Sequence, residues 1–515
     1  MIKTVEQYLE SLDDGRQVWC LGEKVTDVRT HPSISTIIRM AAMDYVLPNH
    51  PDYRDIFVTQ DKDGEDINFL LTSPKTSEDM LRRRECYLVG MRTGGGVLVH
   101  CMGADALASF SVAAEVMDKK LGTNYMERVE NYRQYLQKND LALTGAITDV
   151  KGDRSLHPSA QKQHKDYYLR IVDKKEDGIV VRGAKVHISA SPCANELLCL
   201  PCRTMGEADR DYAVAFAVPV NTPGVKLLAV EPNVRLYGEE CEFDNPESDH
   251  LQPSESLVIF DDVFVPWERV FMCGEWQHSQ SLVYAFASYH RLFGTCKMTR
   301  QLELMTGAAK LIAEYNGVDR IPHVRKKLAW MAYVTETVQM LSKQACLEPI
   351  SEFGMEVMMP NRMAINASKF TYASNFHTMC QHMHDIGGGL TTTVPAYRDW
   401  KNKEISPYIE KYLSAKDGVT TEDRLRILRL IKDCTGNHWQ VDTIHGEGSM
   451  AAQEMFLYGS ADWSKLEAAA RRAAHMDGWQ SDATYGKLLL IKDCVNMPEL
   501  DESYQGFAPT LKTER

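Results

Sequence analysis

The sequence predicts an α+β multidomain protein in which helices come first, strands follow and helices return. Apolar residues recur at helical spacing up to about residue 140, short β-rich runs fill about 145 to 275, and long helical patterns occupy the remainder. The chain has 515 residues, of which 44% are hydrophobic and 25% charged, as in ordinary globular proteins. We therefore expect a helical domain at 1–144, a β-domain at 145–275 and a helical bundle at 276–515.

The N-terminal region has the marks of helices. Thr4 and Gln7 have the spacing of a capping box at a helix start. The segments SEDMLRRRECYLVGM and ADALASFSVAAEVMDKKLG show the apolar spacing of amphipathic helices. These signals predict an α-domain before residue 145.

The middle region has the texture of a β-domain, and the C-terminal region that of a bundle. The β-rich runs are YYLRIV, GIVVRG, KVHIS, YAVAFAVPV, VKLLAV and SLVIFDDVFV. Turn signals such as Asp177-Gly178 and Pro223-Gly224 separate them. Long helical patterns return after 275, and the last of them, TTEDRLRILRLIKDC, has Thr420 or Thr421 as its candidate N-cap.

Composition narrows the partners and the compartment. The formal net charge of −13, with no segment rich in Lys and Arg, argues against nucleic acid as a partner. The N-terminus lacks a signal-peptide core, and no run approaches the roughly 18 apolar residues that a membrane helix needs. Thirteen cysteines without an export signal fit a reducing compartment. We expect a cytoplasmic protein that binds small molecules.

Two segments carry a resemblance to a known family. TDVKGDRSLHPSAQK and EDGIVVRGAKVHISAS resemble the flavin-facing β-domain of the 4-hydroxyphenylacetate 3-hydroxylases and 4-hydroxybutyryl-CoA dehydratases. The resemblance covers nearly the whole chain. It implies an acyl-CoA dehydrogenase-like fold with an N-terminal α-domain, a middle β-barrel domain and a C-terminal helical bundle. It also implies bound FAD and a homotetramer or dimer of dimers.

The resemblance implies residues that contact the flavin. Those expected near the isoalloxazine are Thr148, Asp149, Ser189 and Ser191. Taken singly, each hydroxyl could equally cap a turn.

A second expected flavin contact is a glycine-rich turn. Gly387 and Gly388 in DIGGGL resemble the place where this fold receives flavin from a neighbouring subunit. A glycine triplet can also simply end a helix. The turn lacks the strand–turn–helix setting of a dinucleotide fingerprint, so we expect no Rossmann domain.

The resemblance also raises the question of a metal cluster. Dehydratases of this family hold a [4Fe-4S] cluster with three Cys and one His. The matching positions are Cys101, His290 and Cys296, while Val97 stands at the fourth, and the interval from His290 to Cys296 is one residue shorter than in the family. A cubane with three protein ligands is one reading; inherited buried thiols and a core histidine are the other.

Candidate acid and base groups follow from the same resemblance. Glu255 and, with Asp for the usual Glu, Asp442 match the carboxylates of the dehydratase. Burial raises the pKa of a carboxylate and suits it to removing a carbon-bound proton. His290 could serve as base where no metal is bound, and Lys297 could stabilise an enolate oxygen or be an ordinary solvated helix lysine.

The residues favour one branch of the family. The hydroxylase branch requires an Arg, a Tyr and a His that bind the phenol. At the matching positions this chain has His100, Ala104 and Gly145, which do not reproduce that triad. The segments CMGADAL, GAITDVKGDRS and SYHR side with the dehydratases. We therefore expect flavin-assisted elimination or isomerisation on a short acyl-CoA or related acid. The alternatives are a reduced-flavin-dependent aromatic hydroxylase served by a partner flavin reductase, and a paralogue without activity.

Overall fold

The computed structural model describes residues 1–94, 99–231, 238–249, 255–351, 356–437, 439–474 and 476. The chain divides into two compact units, Met1–Gly459 and Ser460–Arg515. The larger unit contains the three kinds of region that the sequence predicts, and helix α18 (Trp463–Ala473) belongs to the smaller one.

The N-terminal region is mainly helical, as predicted. The capping box of Thr4 and Gln7 is confirmed at the first helix. Four strands of three residues each were not predicted. The elements are α1 (Val5–Ser11), β1 (Val18–Cys20), β2 (Glu23–Val25), α2 (Ser35–Ala41), α3 (Met43–Val46), α4 (Arg54–Phe57), β3 (Val58–Gln60), β4 (Asp66–Asn68), α5 (Ser77–Gly94), α6 (Cys101–Leu121) and α7 (Tyr125–Asn139).

The middle region forms two packed sheets. Its elements are β5 (Leu143–Ala146), β6 (Arg170–Lys174), β7 (Gly178–Lys185), β8 (Glu196–Cys199), β9 (Val214–Pro219), β10 (Val225–Ala229), α8 (Glu239–Asp244), β11 (Ser256–Pro266) and β12 (Val270–Cys273). The described strands have the orders β2-β1-β10-β11-β7-β6 and β12-β9-β8-β5. Phe216 of β9 meets Phe260 of β11 edge to face, with ring centroids 5.8 Å apart. Buried and less buried residues alternate along most of β11 in the six-stranded sheet, whereas β5, β8 and β9 of the four-stranded sheet are buried on both faces.

The C-terminal region is a bundle of long helices. Its further elements are α9 (Ser279–Tyr315), α10 (Pro322–Leu347), α11 (Arg362–Gly387), α12 (Leu390–Thr393), α13 (Tyr397–Lys401), α14 (Ser406–Tyr412), α15 (Thr421–Gly436), α16 (Trp439–His445) and α17 (Met450–Ser460). Thr420 is the N-cap of α15, and its hydroxyl accepts a hydrogen bond from the Asp423 N–H at 3.1 Å. Leu302, Val334 and Phe376 place α9, α10 and α11 in one hydrophobic core. None of the described helices combines the length and apolarity that a membrane crossing needs.

A buried ion triplet ties the N-terminal elements together. The His100 ring lies between two carboxylates, with Nδ1 3.2 Å from Asp44 Oδ2 and Nε2 3.2 Å from Asp140 Oδ1. Asp140 also accepts a hydrogen bond from the Lys3 backbone N–H at 2.9 Å. Burial alone would lower the pKa of His100, but the two carboxylates outweigh it and raise the pKa to about 9. His100 is therefore a charged structural group at the start of α6.

Candidate active site

One face of α9 carries His290, Gly294 and Lys297. Residues four and three apart on a helix project from the same side, so these three form a continuous strip. The Glu447 side chain packs against Gly294, in the middle of the strip. A Cβ added to Gly294 would lie 2.5 Å from Glu447 Cδ, so only glycine leaves room for this carboxylate.

Glu447 joins a buried cluster of charges. Its Oε1 lies 3.0 Å from Lys297 Nζ and its Oε2 lies 3.7 Å from Lys369 Nζ on α11. Arg291 Nε donates a hydrogen bond to the Glu447 carbonyl at 3.1 Å. Asp442 on α16 contacts Lys297 from the other side, with Oδ2 3.1 Å from Nζ. The cluster thus joins α9, α11 and α16.

The cluster controls the protonation of its members. Burial would raise the pKa of Glu447, but the charges of Lys297, Lys369 and His290 outweigh it and lower the pKa to about 2. Burial would lower the pKa of Lys297, but Asp442 and Glu447 raise it above its ordinary value. For Lys369 burial dominates, and its pKa falls to about 8. At neutral pH Lys297 is therefore a fixed cation and Glu447 a fixed anion.

His290 is held between two aromatic rings at the N-terminal end of the strip. Phe286 and Phe293 stack on the imidazole, with ring centroids 5.0 and 5.7 Å away. Its Nδ1 lies 3.4 Å from Asp105 Oδ2, and its side chain is 18% exposed. A ring restrained on both faces and partly open at its edge can take part in proton transfer.

The β-domain supplies a further carboxylate. Glu255 precedes β11, and its Oε1 accepts a hydrogen bond from the Ser189 hydroxyl at 3.2 Å. The backbones of Ile188 and Ser256 exchange hydrogen bonds of 3.0 and 3.1 Å beside this pair. The Thr144 hydroxyl donates to the Ser189 carbonyl at 2.6 Å. Glu255 and Ser189 are thus both half-buried on one rigid part of the β-domain.

The loop next to Ser189 faces the charge cluster. Burial and the charge of Lys151 lower the pKa of His187, and the charge of Asp442 opposes them. Asp442 is therefore close enough to His187 for their charges to interact. Phe286 of α9 also shares a hydrophobic core with Leu143 of β5. These contacts bring the β-domain edge and the α9–α16 region close together.

The other residues expected near the flavin anchor this edge. Asp149 Oδ1 lies 2.8 Å from Lys185 Nζ and accepts a hydrogen bond from the Leu169 N–H at 2.9 Å, so its buried carboxylate faces the sheet. The Thr148 carbonyl accepts the Val186 N–H at 2.7 Å. Ser191 is buried and donates to the Ile188 carbonyl at 3.4 Å. Direct flavin contact by these three residues stays a prediction.

The glycine turn is the end of a helix. Gly387 is the last residue of α11, and Gly388 follows in the left-handed region with φ +71°. The Gly388 N–H donates to the His384 carbonyl at 2.8 Å. Open space lies where a Gly388 side chain would begin. The turn therefore ends the helix and also leaves its backbone accessible to a ligand.

Comparison with known proteins matches the chain along most of its length. The 4-hydroxyphenylacetate 3-hydroxylase N terminal and C terminal models match residues 4–272 and 279–475. The 4-hydroxybutyryl-CoA dehydratase/vinylacetyl-CoA-Δ-isomerase of Clostridium aminobutyricum is 35% identical over 482 residues, 89% of this chain and 96% of that protein. The chain belongs to the 4-hydroxyphenylacetate 3-hydroxylase family.

Solved structures of this family have the same fold. An oxygen-tolerant archaeal 4-hydroxybutyryl-CoA dehydratase from N. maritimus superposes with a TM-score of 0.85 at 28% identity, over 95% of this chain and 99% of that one. The oxygenase component of 4-hydroxyphenylacetate 3-monooxygenase in complex with FAD gives 0.80 at 28% identity, over 92% and 98%. The predicted family, the acyl-CoA dehydrogenase-like fold and the assignment to flavin-dependent enzymes are confirmed.

The three predicted iron–sulfur ligands, Cys101, His290 and Cys296, do not form a metal site in the described part of the chain. No group of three or more His, Cys, Asp or Glu residues there could hold a metal ion. Cys101 is buried among the charges of Asp44 and Asp105, whereas Cys296 contacts the Arg84 carbonyl at 3.8 Å. Val97 lies outside the described residues. The side chains therefore do not fit an iron–sulfur cluster.

Sequence reasoning about this family missed three members of the charge cluster: Arg291, Lys369 and Glu447. Glu447 lies in the segment IHGEGS, five residues after the predicted site residue Asp442. The two glycines that flank Glu447 were the available signal, since they indicate a tight turn. Glu447 itself has φ +55°, which places its backbone in the left-handed region.

Proposed function

We propose that this enzyme binds FAD in a cleft between the edge of the β-domain and the strip on α9, and that it catalyses elimination or double-bond isomerisation on a short acyl-CoA or a related acid. The observation that carries the proposal is the buried cation Lys297, which lies on the same face of α9 as His290. The carboxylates of Asp442 and Glu447 hold its ammonium group. The 35% identity to a dehydratase and isomerase of 4-hydroxybutyryl-CoA supports the same reaction class.

Proton transfer falls to groups on both walls of the cleft. A thioester acidifies its α-carbon, and a base within hydrogen-bond reach can then remove the proton. His290 on α9 is the candidate base, since its ring is restrained by stacking and its edge is partly open. Glu255, held by Ser189 on the β-domain, is the candidate for returning a proton at another carbon.

Lys297 is the candidate group for the developing negative charge. A fixed ammonium in a site with little water stabilises an enolate oxygen far more than it would in bulk water. Glu447 and Asp442 keep this ammonium protonated and in place. Lys297 therefore acts through its charge and does not exchange its proton at neutral pH.

Two separate parts of the chain carry residues that fit FAD. The Thr391 hydroxyl lacks a hydrogen-bond partner among the described residues, and it lies against Gly387, next to the exposed backbone of Gly388. The Ser189 hydroxyl stands at the β-domain edge, where a donor or acceptor could meet the ring system. Bound FAD would supply the redox chemistry that removal of an unactivated hydrogen needs. Ser189 is proposed to hold the ring system of the bound FAD, and Gly388 to meet the flavin of a neighbouring subunit.

The hydroxylase reaction is the second candidate, since an oxygenase component with FAD superposes with a TM-score of 0.80. A reduced-flavin hydroxylase would need a flavin reductase as partner. The chain has His100 at one phenol-binding position, and this side chain is fully buried between two carboxylates. It therefore cannot reach a substrate in the cleft, which favours the acyl-CoA reaction.

The proposed enzyme assembles as a homotetramer. An apolar stripe on α10 supports assembly: Tyr333, Met340 and Leu347 are spaced by seven residues and are 63%, 64% and 47% exposed. Side chains at this spacing lie along one face of a helix, where a second copy would cover them.

The test uses the full chain reconstituted with FAD under anaerobic conditions. 4-Hydroxybutyryl-CoA and vinylacetyl-CoA are supplied, and products are identified by mass spectrometry. We expect loss of water or double-bond migration, and Lys297→Met should lower turnover about 10²- to 10³-fold because it removes the charge. Lys310→Met, on the exposed side of the same helix, is the matched control and should leave turnover unchanged. Hydroxylation of 4-hydroxyphenylacetate with reduced FAD and O2, without acyl-CoA turnover, would refute the proposal.

A further inference from the structure

We propose that Asp105 is the positioning residue of His290, and that the side chains packed around this pair keep the three candidate cluster ligands apart. The inference rests on the proposed function, because it specifies how the candidate base is oriented. It is carried by packing between α5, α6 and α9, where Asp105 is completely buried.

Each oxygen of Asp105 has its own partners. Oδ1 accepts a hydrogen bond from the Tyr87 hydroxyl at 2.8 Å and lies 3.8 Å from Arg83 NH1. Arg83 NH1 in turn donates to the Tyr87 oxygen at 3.2 Å. Oδ2 is left to face His290 Nδ1 at 3.4 Å. A buried carboxylate held by a cation and a hydroxyl is fixed in position.

This arrangement determines which nitrogen of His290 faces the substrate. A carboxylate at Nδ1 favours the tautomer with the proton on that nitrogen, which leaves Nε2 as the acceptor. Phe286 and Phe293 restrain the ring plane. Glu447 is another charged group close enough to interact with the imidazole. The ring is thus held with Nδ1 toward Asp105 and Nε2 away from it.

The same packing separates the candidate cluster ligands. The Phe293 ring lies between His290 and Tyr87, with centroids 5.7 and 5.5 Å from theirs. Cys101 lies one turn before Asp105 on α6, beside Cys86 of α5. Cys296 lies against α10, where Ser342 and Cys346 are its neighbours. Aromatic rings and the Asp105 network therefore occupy the region that a shared cluster would need.

The first measurement is iron and acid-labile sulfide in wild-type protein, expressed and reconstituted anaerobically. We expect less than about one-tenth of an iron per chain, because the three candidate ligands do not converge. Stoichiometric iron that disappears in Cys101→Ala and in His290→Ala would overturn the inference. This result does not depend on which substrate the enzyme uses.

The second measurement compares Asp105→Asn with the matched variant Asp209→Asn. Asp209 is equally buried and faces His157 Nδ1 at 3.2 Å, on the turn at 207–212. We expect Asp105→Asn to lower kcat about 10- to 100-fold with KM and FAD affinity unchanged, and Asp105→Glu to restore part of it. Asp209→Asn should retain kcat. Equal kcat in wild type and Asp105→Asn would overturn the inference.

A third measurement separates this inference from the proposed function. If neither acyl-CoA reacts with the wild-type protein, the assignment of the reaction fails. The orientation of His290 is then tested by the rate at which its imidazole is carbethoxylated, measured by peptide mass spectrometry. Asp105→Asn must then change that rate relative to wild type, while Asp209→Asn leaves it unchanged. An unchanged rate in both variants would overturn the role of Asp105.

Discussion

Neutralising Glu447 should destabilise the protein measurably, because it removes a carboxylate that two buried ammonium groups share. At distances of 3.0 Å to Lys297 and 3.7 Å to Lys369, the attraction at an effective dielectric constant of 20 is about 5 kcal/mol for each pair. The cost of burying charges offsets much of this. Removing one partner of a buried pair typically costs about 3–5 kcal/mol, which is the loss expected for Glu447→Gln.

The assay is thermal unfolding of wild type and variant in parallel. The compact unit at 1–459 has an unfolding entropy of about 1 kcal/mol/K on the usual per-residue scale, so the midpoint should fall by about 3–5 °C. Glu303→Gln is the matched control, since this carboxylate is 34% exposed in its pair with Arg92. Exposed pairs contribute about 0–1 kcal/mol, so the control should melt within about 1 °C of wild type. A Glu447→Gln midpoint equal to the control's would refute the reasoning.

Two further predictions concern packing and pH. Gly294→Ala should displace the Glu447 carboxylate and lower turnover at least about tenfold, because the added Cβ would lie 2.5 Å from Glu447 Cδ. Gly307→Ala on the same helix meets no atom within 4 Å, so this control should retain activity. Equal activity of the two variants would contradict the packing argument. The raised pKa of His100, about 9, should stabilise the fold by about 3 kcal/mol below pH 6.5, and this contribution should be lost as pH rises to about 9. Melting midpoints from pH 6 to 10 should show that decline in wild type and in His157→Gln but not in His100→Gln; a decline that persists in His100→Gln would exclude the triplet as its source.

The order of helices and strands could be predicted from the sequence because the long elements repeat their apolar spacing many times. Helix α9 extends over 37 residues, and β11 over 11. Strands β1 and β2 have three residues each, which is too few to show a period. Val18 of β1 pairs in parallel with Leu227 of β10, about two hundred residues later. Such a strand exists because of its tertiary partner, and local sequence cannot reveal it.

The candidate site was predictable where it lies on one element. His290 and Lys297 are seven residues apart on α9, so helical geometry alone places them on one face. Lys369 and Glu447 reach the same place from α11 and from the turn after α16. Their meeting depends on how helices pack, and on the space that Gly294 leaves. The family resemblance named only positions that other members use for chemistry, and the supporting charges fell outside it.

The balance of charge in the cluster explains why it suits an anionic intermediate. Arg291, Lys297 and Lys369 face Asp442 and Glu447, so these five groups carry one net positive charge when all are ionised. The pKa of Lys369 is lowered to about 8, first by burial, whereas Lys297 retains its proton at higher pH. As pH rises through about 8, Lys369 loses its proton and the excess positive charge disappears, but the ammonium on the His290 face stays. Lys369 therefore sets the net charge of the cluster, while Lys297 supplies the local charge that an enolate oxygen would meet.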